Sequence, residues 1–153
     1  MTKRSSLVKI LVMNGPNLNM LGRRDKEIYG EKPLAEIDSL LKKQGEALNV
    51  EVVTFQSNSE GALIDFIQEQ SDSADGIIIN PGALTHYGFS LRDALADTRL
   101  PVVEVHLSNI YAREEWRAKS VTAPIATGQI SGLGWWGYVA ALQILVDKQQ
   151  EED

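Results

Sequence analysis

Apolar residues along this chain fall into two kinds of run. Leu7–Met13, Val50–Phe55, Gly76–Ile79 and Val102–Val105 are short stretches rich in Val, Ile and Leu, the pattern of strands, and Ile125–Ile130 is a weaker fifth. Between them, Leu34, Ile37, Leu40, Leu41 and Leu48 recur at helical spacing, as do Leu63, Phe66 and Ile67. A last helix is predicted from Gly137 to Val146. Ser57 with Glu60, and Ser90 with Asp93, have capping-box spacing at the starts of the second and third helices, which gives Asp93 a purely structural reading. Residues 1–6 and the charged end Lys148–Asp153 are expected to fray.

Strands alternating with helices imply one α/β domain over residues 1–153, with a parallel sheet covered on both faces. At this length the expected order is the flavodoxin-like 2-1-3-4-5. Ligands of such sheets bind beyond the carboxyl ends of the strands. The segments just past the strand ends are polar here: Asn14-Gly-Pro-Asn17, Gln56-Ser-Asn58, Asn80-Pro-Gly-Ala-Leu-Thr-His86 and Glu104-Val-His106-Leu-Ser108-Asn109. Polar loops occur in any α/β protein, so the position alone does not make a site.

Composition narrows the function classes. Of the 153 residues, 43% are hydrophobic and 24% charged, which is ordinary for a globular chain. A net charge of -6 argues against nucleic acid, whose phosphates need a basic face. Four of the seven arginines nevertheless cluster as Arg23 and Arg24, then Arg113 and Arg117, as a small anion would require. There is no cysteine, hence no disulfide or thiolate chemistry. The apolar run after Ser6 is short, is broken by Lys9 and lacks a cleavage pattern, so a signal peptide is not expected. No stretch is long enough to span a membrane, and the expected location is the cytoplasm.

Several constellations have a bland reading beside the chemical one. Glu104 and His106 lie two apart on a strand and point to one face, as a carboxylate-oriented acid or base would, or as a satisfied buried pair would. His86 is the other histidine. It could join His106 with Asp93 or Glu104 around a metal, but the spacing fits no helical metal motif, and none is expected. Gly132-Leu-Gly134-Trp-Trp-Gly137 matches a dinucleotide fingerprint, yet only one helix remains beyond it; a tight turn and a close helix start fit better. Trp135 and Trp136 then read as core or interface residues. The segment Leu18–Lys32 is long for a strand–helix connection and carries Arg23, Arg24 and Tyr29, so it is either a solvated excursion or a lid. No GxSxG elbow and no strand-end lysine stand out, which weakens a hydrolase or an imine.

Taken in order, Asn14-Gly-Pro-Asn-Leu-Asn-Met-Leu-Gly-Arg-Arg24 with Tyr29-Gly30 resembles the opening of type II 3-dehydroquinate dehydratases. The resemblance continues through Gln56–Glu60, Asn80–His86, Ser90–Ala94, Glu104–Asn109, Arg113–Arg117, Ile125–Gly128 and Gly132–Gly134, covering Val8 to Leu145. It implies elimination of water from 3-dehydroquinate to give 3-dehydroshikimate, without cofactor or metal. In that family's pattern Tyr29 takes the proton beside the ketone, Arg24 steadies its phenolate with Arg113 assisting, and Asn17 positions a water at the enolate oxygen. His106, oriented by Glu104, protonates the leaving hydroxyl. Asn80, His86, Leu107, Ser108, Arg113 and Arg117 match substrate-binding positions, with Leu107 and Ser108 offering backbone N–H groups. Asp93 matches a residue that reaches a neighbouring subunit's site in a dodecamer built as a tetramer of trimers. A tyrosine is a poor base at its reference pKa of about 10, and nearby arginines favour the phenolate. The resemblance leaves open whether the reaction serves chorismate synthesis or quinate breakdown. A non-catalytic flavodoxin-like module is the rival. A phospho-receiver, however, would need acids where Asn14 and Asn80 stand and a lysine near Thr127.

Overall fold

The protein is described by a computed structural model over residues 7–152. Five parallel strands form one sheet: β1 (Lys9–Asn14), β2 (Glu51–Gln56), β3 (Gly76–Asn80), β4 (Val102–His106) and β5 (Gly128–Ser131). Their order is β2-β1-β3-β4-β5, as the alternation of runs predicts. The central strands β3 and β4 are buried along their whole length, and β1 is nearly so. Burial on both faces explains why these three read as unbroken apolar runs. The edge strands β2 and β5 are half-exposed and mixed in composition, which is why β5 is faint in the sequence. It begins at Gly128 rather than Ile125, because Ala123–Ile125 form a 3-10 turn.

Helices cover both faces: α1 (Lys26–Tyr29), α2 (Leu34–Leu48), α3 (Glu60–Gln70), α4 (Phe89–Thr98) and α5 (Trp136–Glu152). Ile10, Val12, Ile78, Val103 and Val105 pack against Ile37 and Leu41 of α2 and Leu142 and Leu145 of α5. Leu11, Met13, Ile77, Ile79 and Val102 point the other way, towards Leu63, Phe66 and Ile67 of α3 and Leu91 and Leu95 of α4. The alternation along each strand thus divides the core into two layers. It also dictates which layer each polar residue at a strand end will meet.

Three local expectations need correction. The cap of α3 is Ser59, whose Oγ accepts from Ala62 N at 3.2 Å; Ser57 instead accepts from Ser59 N at 3.0 Å. Helix α4 begins after Gly88, with Ser90 already inside its first turn, so Asp93 is no capping acid. Glu60 of α3 reaches across to accept from Leu91 N at 3.1 Å, satisfying a donor of α4 that its own sequence leaves free. Of the charged end expected to fray, Lys148–Glu152 are helical as the last residues of α5. Residues 1–6 and Asp153 lie outside the described residues.

The glycine-rich run after β5 behaves as the turn that its position implies. Gly132 and Gly134 have φ of 89° and 61°, and a Cβ on Gly137 would stand 3.1 Å from Val105 Cγ1, so the glycine lets α5 lie close on β4. Trp135 packs at the margin of the core, whereas Trp136 is 61% exposed, so the pair is only half a core feature.

Candidate active site

The carboxyl ends of β1, β3 and β4 open into a cleft of about 130 Å³. Two loops form part of its wall, one after β1 and one after β3, and they lie back to back. A Cβ on Gly15 would fall 2.4 Å from the Pro81 carbonyl oxygen, so only glycine allows this approach. Asn17 takes the left-handed conformation, φ 70°, which asparagine tolerates better than most residues. Its backbone N–H is tied to Asn58 Oδ1 at 3.0 Å.

Beneath these loops, the even-numbered residues at the ends of β1 and β3 face α5. Tyr138, fully buried, donates to Asn14 Oδ1 at 2.5 Å and accepts from Asn80 Nδ2 at 3.0 Å. Burial pushes the Tyr138 phenol far above its usual range; the Asn80 hydrogen bond opposes this and the Asp38 carboxylate adds to it. Asn80 Oδ1 accepts from Gly82 N at 3.1 Å. Asn80 lines the cleft, but most of its amide is committed to holding the floor together.

On the opposite layer, Glu104 and His106 share one face of β4. Glu104 is 0% exposed. Its Oε2 accepts from His106 Nε2 at 2.9 Å and from Gln129 Nε2 at 2.6 Å. Ser120 Oγ lies 3.1 Å from both carboxylate oxygens, and Thr122 Oγ1 donates to Oε1. Burial is the largest single influence on this carboxyl and would raise its pKa. Hydrogen bonds from His106, Thr122 and Gln129 together outweigh it and bring the value to about 2. Glu104 is therefore a carboxylate at neutral pH and can only accept. His106 Nε2 must donate, which leaves Nδ1 as the nitrogen that serves the cleft.

The segment Leu18–Lys32 contributes Leu18, Arg24 and Tyr29 to the cleft lining, and α1 ends on Tyr29. The Tyr29 oxygen accepts from Arg24 Nη2 at 2.8 Å and from Arg113 Nη2 at 2.9 Å. The Arg24 guanidinium also lies 3.8 Å from the ring centroid. Arg113 donates from Nη1 to Ser108 Oγ at 3.1 Å, while its buried Nε makes no hydrogen bond and stands 4.0 Å from its ion-pair partner Glu114 Oε1. Two charge-assisted donors on one phenol oxygen stabilise negative charge there. Across the cleft, His86 Nδ1 lies 2.7 Å from the Lys119 carbonyl, so it donates there and Nε2 is left for a ligand. Arg117 is aimed by Glu114 at 2.7 Å and by the Trp116 ring at 4.1 Å.

The fold thus gathers Asn17, Arg24, Tyr29, Asn80, His86, His106, Leu107, Ser108, Arg113 and Arg117 around one cavity. Glu104 stands directly behind His106. Leu107 lines the cleft, and its side chain also belongs to the core. Asp93 is not brought in: its side chain is 71% exposed on α4 and lies beside Arg92. Among the described residues no three histidine, aspartate or glutamate side chains gather as a metal-donor set. Sequence reasoning missed Tyr138, Ser120, Thr122 and Gln129. The last three lie 16, 18 and 25 positions from the carboxylate they serve, and no local motif marks them.

Residues 8–146 match the family described as Dehydroquinase class II. The chain belongs to the class II dehydroquinase family. Among the family's members, the 3-dehydroquinate dehydratase of Roseiflexus castenholzii is 60% identical over 139 residues, 91% of this chain and 88% of that one. The crystal structure of type II dehydroquinase from Butyrivibrio crossotus matches with a TM-score of 0.89 at 49% identity, covering 91% of this chain and 97% of that one. That from Propionibacterium acnes matches with a TM-score of 0.88 at 41% identity, covering 93% and 99%. Family membership sets aside the reading as a non-catalytic flavodoxin-like module.

Proposed function

We infer that this chain is a hydro-lyase that removes water from 3-dehydroquinate to give 3-dehydroshikimate, a step towards chorismate. The observation that carries the assignment of roles is a phenol oxygen held by two guanidiniums in the same cleft as a carboxylate-backed imidazole. Tyr29, as phenolate, takes a proton from the carbon next to the ketone, and the electron pair moves onto the carbonyl oxygen. A water held by Asn17 hydrogen-bonds that enolate oxygen. As the enolate collapses, the carbon–oxygen bond to the hydroxyl breaks. His106 supplies the proton from Nδ1, so the group leaves as water. Glu104 keeps Nε2 protonated and stabilises the imidazolium before transfer. Arg117, His86, Asn80, Ser108 and the backbone at Leu107 hold the anionic substrate, and Arg113 serves both Tyr29 and substrate. An acidic chain places three cationic arginines on this one cavity, which fits a carboxylate ligand.

The proposal extends to assembly and place. The chain works as a cytoplasmic homo-dodecamer, a tetramer of trimers in which Asp93 reaches a neighbour's cleft. Its support is that Asp93 projects from α4, and that Tyr87 and Phe89, at the entry to the same helix, are 60% and 62% exposed. A fully active monomer in light scattering would sink this part.

The reaction itself is tested by adding 3-dehydroquinate and recording ultraviolet absorbance of the conjugated enone carboxylate. Turnover is expected to persist in EDTA and after borohydride treatment with substrate. The basis is that, among the described residues, the cleft lining includes neither a metal-donor set nor a lysine. A borohydride-trapped covalent adduct would replace the enolate scheme with an imine.

A further inference from the structure

We propose that Gln129 and Tyr111 are positioning residues for the acid step, an arm through which a surface phenol fixes an amide, the amide fixes Glu104, and Glu104 fixes His106. The inference rests on the acid role proposed for His106. Gln129 lies on the edge strand β5 in parallel register with Glu104, and Ser131 pairs with His106 in the same way, so their side chains share a face of the sheet. From there Gln129 Nε2 donates to Glu104 Oε2 at 2.6 Å, the oxygen that also accepts from His106 Nε2 at 2.9 Å. One oxygen therefore carries both bonds. Any shift of Oε2 on loss of the amide moves the acceptor to which the imidazole is aligned. Thr122 holds Oε1 and Ser120 reaches both oxygens at 3.1 Å, while Gln129 is the partner that β5 supplies.

A glutamine amide has two ends of nearly equal shape, and only one suits a carboxylate. With Nε2 on Glu104, Oε1 faces Tyr111, whose hydroxyl lies 2.8 Å away and must donate to it. The flipped amide would set Oε1 against an anionic oxygen, so the carboxylate selects the orientation, and the phenol holds the amide in it by donating to Oε1. Tyr111 lies in the turn Ile110–Ala112 after β4 and is 58% exposed, outside the cleft lining. A side chain that touches no substrate is thus connected to the proton donor through two intermediates.

A merely structural reading has Gln129 satisfying a buried lone pair, with consequences for stability alone. The two readings part in the kinetics of folded variants. Gln129→Leu keeps a strand-forming residue and removes the donor. Its kcat is expected to fall about tenfold, the usual scale for loss of an orienting partner, with KM within about twofold of wild type, because the lost alignment matters after binding. Tyr111→Phe, a surface change that leaves the fold intact, should lower kcat by about two- to threefold, and should add nothing in the Gln129→Leu background, because both act through one oxygen. Gln129→Glu faces Glu104 with a second carboxyl. The titratable neighbours are His106 on β4 and Tyr111; Ser120 and Thr122 are neutral. Like carboxyls in contact retain a shared proton only on the acid side, so kcat for this variant should be highest near pH 5 and drop towards pH 8.

The experiment is steady-state turnover of 3-dehydroquinate by these variants and by His106→Ala from pH 5 to 9, with thermal midpoints as the folding control. An unchanged kcat in Gln129→Leu, or a wild-type pH profile in Gln129→Glu, overturns the arm while His106 keeps its role. Additive losses in the Tyr111→Phe, Gln129→Leu double variant also overturn it. Wild-type turnover in His106→Ala overturns the acid assignment, and the arm with it.

Discussion

Two tyrosines stand at the same edge of the sheet and are handled in opposite ways. Tyr138 is 0% exposed, its partners are the neutral amides of Asn14 and Asn80, and it donates its proton inward. Burial holds that phenol in its neutral form. Tyr29 is half-buried at the end of the short helix α1, and the two bonds at its oxygen are received from cations, Arg24 and Arg113. The side chain is the same. What differs is the charge of the partners and access to the cleft, and these decide which phenol is a structural rivet and which can take a proton. The contrast fits the proposed roles: the proposed base stands in the cleft lining, where substrate can reach it, and the rivet is tied to the floor through α5.

The comparison breaks most readily at Tyr29. Tyr29→Phe removes one oxygen and should lower turnover by at least about 10³-fold, while stability changes by less than about 1 kcal/mol; denaturant unfolding and the ultraviolet assay check both. Arg24→Ala leaves Arg113 as the remaining donor. We expect roughly a hundredfold loss of turnover, because one of the two guanidiniums facing the phenol oxygen is gone. Wild-type turnover in that variant would mean that Arg24 only packs.

Glu104 extends the same logic to a carboxyl. Its folded pKa of about 2 lies below the ordinary 4.5, so the stability it contributes is complete above about pH 4.5 and is lost as pH falls through about 2. The amount is on the order of 3 kcal/mol. Other carboxyls titrate in that window, so the readout is the difference between wild type and Glu104→Gln in denaturant midpoints from pH 7 to 2. A parallel pair of curves would contradict the hydrogen-bonded carboxylate. The smallest effect is expected at the rivet. Tyr138→Phe should cost about 1–2 kcal/mol of stability, since Asn14 and Asn80 each lose a buried partner, yet keep turnover within about threefold. If it silenced the enzyme as fully as Tyr29→Phe, the division of labour would be wrong.

The parts of this molecule legible from its sequence are those governed by local period. β1, β3 and β4 announce themselves because both faces are buried, and Glu104 with His106 because a strand alternates. The lid residues Arg24 and Tyr29 are legible only through the resemblance of the Asn14–Gly30 segment to a family. The hidden parts are non-local. Glu60 caps another helix 31 positions away, and Tyr138 joins Asn14 across 124. The hydroxyls and amide around Glu104 come from a turn and an edge strand whose own patterns point nowhere. Helix-start signals mislead for the same reason: Ser57 and Ser90 have the right spacing, but the chain turns at Ser59 and Gly88.

The central claim is that Tyr29 removes the proton and His106 returns one to the departing hydroxyl. Incorporation of solvent deuterium into 3-dehydroquinate beside the ketone, monitored by NMR, separates the two acts. Wild type should exchange and dehydrate, Tyr29→Phe should do neither, and His106→Ala should exchange its proton while dehydration stalls. Exchange at the wild-type rate in Tyr29→Phe would contradict the account, and would pass the role of base to His106.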